Sequence, residues 1–536
     1  MTYFGDHEPN PAPEELTAEL KEKAEREDRN QPVAVKLIRL AEQRFEFGVS
    51  PSGEPFAYRK EKPHLVFKFR GSRRGLRADL ARAFFEAEKK VANQAALADC
   101  LMVLEGMASE KSPEELHLRV AEKDGAVYID RGDPEGTVFQ IADGRWTLQT
   151  TAPVKFHRTE LTLAFPSPKD HPKGAAGIMD LFGHLNIAKD DHRPVLAWLV
   201  AALIAPNIPH PVLALLAEHG AAKSTATTRL GEMVDPSAVQ IRTAPRGEDQ
   251  WVTAAAGSWT IGLDNASSIQ PWFSDALCRA VTGDGDVKRR LYSDGDLAIV
   301  KFRRCVILNG IDIGSLRGDL ADRLLAVELH RIPDEERRPE EEMYEEWVRA
   351  HPHLWGALLS LAAEVHKILP SIKLKRMPRM ADFARILAAV DRISDELGLP
   401  GESGLDRFTN RAGDLAKDSL ESNPFIMGVL DIARENGIQR STSAEILTAV
   451  ELHKRLNEPD WRRPSRGWPQ SPKAATGQLK RNIPQMRQTG WQVFDDEGRN
   501  KDGTIRWTIE PETGGDPNPP SPPPLLSQVR GEKDEG

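Results

Sequence analysis

The chain has 536 residues, 40% of them hydrophobic, and a formal net charge of −9 at pH 7. That length asks for several domains with enough apolar content to fill their cores. Three cysteines without metal-ligand or disulfide spacing (Cys100, Cys278, Cys305) argue against an oxidised secreted scaffold, and the longest apolar run, 195–205, is too short to span a bilayer.

No signal peptide is visible, so a cytoplasmic protein without a membrane partner is expected. Residues 1–30 hold nine acids against four bases and few large apolar side chains, the composition of a disordered acidic N-terminus. Segment 31–170 reads as a mixed α+β region. A short strand-like part and two helical patterns occupy 33–110, and alternating bursts between glycines over 116–158 describe an antiparallel meander. The Lys/Arg-rich stretch from Lys60 to Arg82, with Arg70, Arg73, Arg74 and Arg77 beside Phe67 and Phe69, suits either nucleic acid or a solvated face; the solvated face is the plainer account. No carboxylate pair or Cys/His cluster in this region supplies a primase or polymerase centre.

After a linker around 166–177, residues 178–205 read as helical, within a core expected to span 171–335. PVLALLAEHGAAKSTATT, residues 211–228, has the strand–loop–helix pattern of a phosphate-binding loop. Gly220, Ala221, Ala222, Lys223, Ser224 and Thr225 would wrap the phosphates of ATP, with Lys223 reaching the terminal ones and Ser224 placing a hydroxyl on Mg2+. Ala222 replaces the usual glycine before the lysine; helical dihedrals there would accept a Cβ. The alternative is a small-residue helix start with a solvated lysine. Strand candidates follow at 212–216, 239–242, 260–264, 305–308 and 325–329, an α/β alternation that implies a parallel sheet. Asp264 closes the third and would hold Mg2+ through water; a turn aspartate is its plain counterpart. Asn309 closes the fourth and would orient the attacking water or touch the γ-phosphate. Between them Lys288, Arg289, Arg290 and Tyr292 follow a glycine-rich turn, a cation cluster with an aromatic platform suited to DNA. Helices at 335–369 and 377–397 form a helical lid region over 336–420.

Residues 421–512 read as a separate winged helix: helical stretches at 425–436, 443–455 and 474–488 precede an aromatic hairpin of 491–494 and 504–509. Residues 453–507 hold twelve Lys/Arg against six Asp/Glu. Lys473, Gln478, Lys480, Arg481, Gln485 and Arg487 would populate a groove-facing helix binding duplex DNA, Lys480 and Arg481 foremost; a protein-interaction role is the alternative. The proline-rich tail, 513–536, reads as disordered.

The order of these motifs resembles the superfamily-three helicases within the AAA+ ATPases, specifically the phage- and poxvirus-type primase-helicase ATPases and similar proteins of actinobacterial mobile elements. Gly220–Thr225 resembles their GSAKST phosphate loop, Leu263-Asp264-Asn265 falls at the Walker B position, and 277–292 is similar to their DNA-contacting third motif. Val306-Ile-Leu-Asn309 matches sensor 1, and Arg323 lies where the arginine finger stands. The resemblance implies an AAA+ P-loop core, ATP and Mg2+ as cofactors, single-stranded DNA in a channel, a homo-oligomeric ring expected to be a hexamer, and a primase supplied by another protein. One departure stands out: Asn265 occupies the place of a second carboxylate, and an amide orients water but accepts no proton. Glu218 is a substitute, and a weakly hydrolysing, nucleotide-switched initiator is the rival reading.

Overall fold

The computed structural model describes residues 31–512 except 70–74, 218–219, 265, 267–268, 284, 290–296, 311–317, 376, 459, 465–466 and 501; for 285–289, 297–301, 318, 412, 415 and 418–419 it describes the backbone alone. The expected acidic N-terminus and proline-rich tail lie outside the described residues. Two compact units divide between residues 412 and 413.

The first unit opens with α1 (Val33–Arg44), β1 (Phe45–Val49), β2 (Pro55–Arg59), β3 (Lys62–Lys68), α2 (Leu76–Glu88) and α3 (Gln94–Ser109). Sequence patterning indicates only two helices and a short strand-like part here; three strands and three helices are present. Phe45, Leu76, Leu80, Leu97, Cys100 and Leu104 share one core with Leu37 and Phe84. Phe69 is buried there too, and Arg59 and Arg82 both bind Asp79, so the described basic residues of this stretch include acid-paired side chains. Arg70, Arg73 and Arg74 lie outside the described residues.

Next come β4 (Leu116–His117), the antiparallel meander β5 (Val120–Lys123), β6 (Ala126–Asp130), β7 (Val138–Ala142) and β8 (Arg145–Gln149), and β9 (Lys155–Phe156). Two of its turns carry Asp-Gly pairs with both residues at positive φ, Asp124-Gly125 and Asp143-Gly144, the geometry whose twist matches a hairpin. β4 and β9 join β3 in parallel, extending the first sheet.

The helical reading of 178–205 resolves into a 3-10 stretch, Gly174–Gly183, followed by α4 (His192–Ile204). Almost every residue of α4 is buried, so it is a core helix wrapped on all sides. A parallel sheet follows from β10 (Val212–Leu216), β11 (Ile241–Thr243), β12 (Thr260–Asp264), β15 (Cys305–Asn309) and β16 (Leu324–Glu328), in the order β11-β12-β15-β10-β16. The second strand starts two residues later than patterning places it, because Val239 is exposed. Between strands run α5 (Lys223–Glu232), α6 (Glu248–Gly257), α7 (Pro271–Thr282), the two-stranded ribbon β13 (Gly285–Arg289) and β14 (Leu297–Lys301), and α8 (Gly318–Ala321).

α9 (Glu340–Ile368) ties the sheet to the meander. Near its start Trp347 donates to Glu232 at the end of α5 (2.6 Å), and the Arg229 guanidinium lies over the Trp347 ring. Farther along, Trp355 stacks on Phe165 with centroids 4.2 Å apart, and Trp146 of β8 reaches Ser360. A Cβ on Gly356 would come within 2.3 Å of the Lys169 carbonyl, so only glycine permits this crossing. A second bond between meander and sheet is ionic: buried Arg119 donates Nε to Asp235 (2.8 Å), while the other Asp235 oxygen accepts from the amides of Trp259 and Thr260 at the start of β12.

Burial pulls His117, His157 and His351 from the usual histidine range down to about 4. Above pH 6.5 these rings are neutral folded or unfolded; between there and pH 4 only the unfolded chain takes up their protons. Stability should therefore fall by about 1.4 kcal/mol per pH unit for each ring. Urea midpoints should hold between pH 8 and 7 and drop steeply below 6, with a shallower drop in His157→Gln; a flat midpoint down to pH 5 would contradict it.

α10 (Ala381–Glu396) packs on α4, and α11 (Gly404–Glu421) crosses the unit division. The second unit continues with α12 (Pro424–Asn436), β17 (Ile438–Thr442), α13 (Ser443–Asn457), α14 (Pro472–Gln488), β18 (Trp491–Asp495) and β19 (Arg506–Pro511), its antiparallel sheet ordered β17-β19-β18. Phe425, Trp468, Leu479, Met486, Val493, Trp507 and Ile509 fill its core, and Trp507 donates to Ser443 (2.9 Å).

Candidate functional site

β10 has β16 on one side and β15 on the other, and β15 in turn separates it from β12. The chain thus diverges from β10 in both directions, and in such sheets ligands bind where the carboxyl ends of diverging strands open a crevice. Leu216, Asp264 and Asn309 end three neighbouring strands on that edge.

The loop after β10 turns at Gly220 (φ +83) and Ala222 (φ +55) before α5 begins at Lys223. Ala222 is the first correction to sequence reasoning. It does not adopt helical dihedrals; it sits in the left-handed region, where a Cβ is disfavoured. The chain accepts that strain where the loop enters α5. Ala222→Gly should relieve this, raising stability to urea by roughly 0.5–1 kcal/mol; a loss of stability would place the strain elsewhere.

Lys223 and Ser224 stand in the first turn of α5, where the helix dipole favours an anion. The Lys223 ammonium donates to the Ala217 carbonyl (2.9 Å), folded over the loop. The Ser224 hydroxyl lies 3.3 and 3.4 Å from the two carboxylate oxygens of Asp264, forty residues on, so the helix start and the third strand's end converge. Ala221 is buried, anchoring the loop, and Thr225 is half-buried in the same turn. Asn309 is brought to this edge but is 1% exposed, and its amide donates to Thr227 of α5 (3.0 Å). It holds the helix to the sheet. Asn265, assigned beside Asp264, and Glu218 lie outside the described residues.

Arg323 is not brought to this site within the chain. Its guanidinium pairs with Asp319 (2.7 Å) and also donates to the Asp319 carbonyl, while Arg379 binds both Asp319 and Asp322. This is the own-chain pairing that competes with a finger role. Lys288 and Arg289 fall on β13, facing β14 in antiparallel register, with only their backbone described; Arg290 and Tyr292 lie outside the described residues. Arg303 braces the base of this ribbon by donating to the Thr282 carbonyl (2.8 Å).

On α14, Lys473, Lys480 and Arg481 are exposed. Two residues placed on the same outer face behave otherwise. Gln485 is fully buried, and Arg487 donates to the Val493 carbonyl with its guanidinium near the Phe494 ring. Arg487 is held there by β18, a neighbour that helical periodicity alone does not reveal.

Two family models match this chain: the actinomycete integrative conjugative element replication protein over residues 178–403, and the AICE RepA C-terminal domain over residues 425–522. Together they cover more than half of it. Over those residues the chain matches the replication proteins of actinomycete integrative conjugative elements. The two matches meet the two units described above, and residues 31–177 precede both. No curated protein gives a match. Among solved structures, the apo structure of the NrS-1 C terminal region (305-718) is similar at 11% identity and a TM-score of 0.37, covering 90% of this chain and all of that one. An A-form apo structure of the same region gives 12% identity and a TM-score of 0.34, covering 87% and 96%. Among the described residues no helix of this replication protein is long and apolar enough to cross a membrane.

Proposed function

We propose that this replication protein is an ATP-driven DNA helicase or translocase built on an AAA+ P-loop core, with a winged helix in its second unit. The observation that carries the reading is the convergence of Ser224 with Asp264 beside Lys223, at the carboxyl edge of a parallel sheet. Hydroxyl and carboxylate are hard oxygen donors, the set Mg2+ takes when substrate phosphates complete its shell. Together they would hold the ion, Lys223 would neutralise the terminal phosphates of ATP, and the metal would supply charge neutralisation at the transferring phosphoryl group. Asn309 would keep α5 against the strands while this happens.

The second unit supports DNA binding by its element order, helix–strand–helix–helix–strand–strand, and by the exposed cations on α14. Replacing Lys473, Lys480 and Arg481 together by alanine should weaken duplex binding at 0.1 M salt and reduce the log–log salt slope by about 2–3, nearly one for each phosphate no longer neutralised. An unchanged slope would assign this helix to protein contacts.

A homo-oligomeric ring, a hexamer by resemblance, would let an arginine complete a neighbour's site. A primase would come from another protein. The second reading is a nucleotide-switched initiator with weak hydrolysis, favoured by the pairing of Arg323 with Asp319 and by Asn265. The two separate on turnover: a motor's hydrolysis rises several-fold with single-stranded DNA, and a switch's does not.

A further inference from the structure

A second cation stands at the phosphate loop, from a part of the chain that no motif marks. A Cβ on Gly220 would lie 3.1 Å from Nη2 of Arg337, so this guanidinium covers the loop three residues before Lys223. Its position is built. Leu329 donates its amide to Leu216 at the end of β10, so the chain leaving β16 runs directly past the loop's root. There it is bound to a neighbouring segment: His330 donates to the Asn186 carbonyl (3.1 Å), Ala188 to the Glu328 carbonyl (2.9 Å), and the Glu328 amide donates to the buried carboxylate of Asp191 (2.7 Å). A 3-10 turn at Asp334–Glu336 then delivers Arg337, and Arg338 is fastened to Glu346 of α9 (2.6 Å). The Arg337 head group pairs with Asp334 at 3.0 Å, both side chains more than half exposed. An exposed pair of this kind is weak and readily exchanged.

We propose that Arg337 is a phosphate-contacting residue of the same chain's nucleotide site, exchanging Asp334 for the terminal phosphate of a nucleoside triphosphate. The inference rests on the ATP-site reading above. A planar guanidinium fits phosphate oxygens in pairs, and the loop beside it is the part that receives the β- and γ-phosphates. Arg337 would therefore distinguish triphosphate from diphosphate, a role separate from the Lys223 anchor, which both nucleotides would use.

The test is ATP and ADP affinity of the full-length protein with Mg2+ present. Arg337→Ala should weaken ATP five- to twenty-fold and leave ADP within twofold; Arg337→Lys, which keeps charge but loses the paired donors, should fall between. Asp334→Asn, freeing the guanidinium, should tighten ATP about twofold or more. An Arg337→Ala protein with the wild-type ratio of ATP to ADP affinity overturns the proposal, whether both affinities stay or both fall. Lys223→Ala in the same series keeps the two readings apart. If it leaves ATP binding intact, the nucleotide site itself is misassigned; if it abolishes binding while Arg337→Ala keeps the normal ratio, only the role of Arg337 fails.

Discussion

Lys223→Ala is expected to lower ATP turnover by at least an order of magnitude. The ammonium rests on the Ala217 carbonyl, folded over the loop's own backbone, and that hydrogen bond is easily traded for one to a phosphate oxygen. At the terminal phosphates of a nucleotide, a lysine would contribute a compact charge at the point where negative charge gathers during transfer. Alanine removes that charge and leaves the loop amides and Ser224 in place. Nucleotide affinity should fall together with turnover, because the same charge holds ground-state phosphates. Near-normal turnover in purified Lys223→Ala protein, with its thermal stability unchanged, would reject the phosphate-loop assignment.

The second large effect is structural. Asp235 accepts from Arg119, Trp259 and Thr260 in a site nearly closed to water, and Arg119 also donates to the carbonyls of Asp130, Leu163 and Pro236. Asp235→Ala strands a buried guanidinium and two amides at once. Breaking one side of such a pair costs about 3–5 kcal/mol, enough to unfold the first unit at moderate temperature. The paired replacement Arg119→Met with Asp235→Leu removes both charges and should recover part of the loss. Chemical denaturation of the three proteins measures it; a single variant as stable as the parent would show that water reaches the pair.

Legibility in the sequence follows the range of the interactions involved. Strand β10 with helix α5 after it, the α/β alternation and the helices of the second unit are readable because each is written in consecutive residues: a strand, a turn, an N-cap. Asn423 and Ser471 cap α12 and α14 in that local way. β17 is hidden because only Ile438 of its five residues is buried, leaving no alternation to detect. Its one local mark is Thr442-x-x-Glu445, a reciprocal cap that announces α13 and so the end of whatever precedes it. Ala222 misleads for a different reason: dihedrals belong to the turn's geometry, and composition does not report them. The convergence of Ser224 with Asp264 follows from strand ends sharing an edge, whereas Arg119 with Asp235 and Arg337 with Gly220 join residues more than a hundred positions apart without a motif at either end. The burial of Gln485 likewise depends on the neighbours that a fold, not a periodicity, brings to it.

The long helix α9 has a mechanical consequence. Its 29 residues make a rod of about 43 Å. One end is fastened to α5 through Trp347, and the approach of Gly356 to Lys169 is too close for the two backbones to slide. Pro352 lies between those two points and removes one helical hydrogen bond there; a helix that stays straight through it would act as a lever with its fulcrum past the middle. With about 13 Å of rod between Trp347 and Gly356, a tilt of about 5° would move the Trp347 end by about 1 Å, and would swing the shorter arm beyond Ser360 the opposite way against β8. A displacement begun at α5 would then reach the meander reversed and geared, without any direct contact between α5 and β8 being needed.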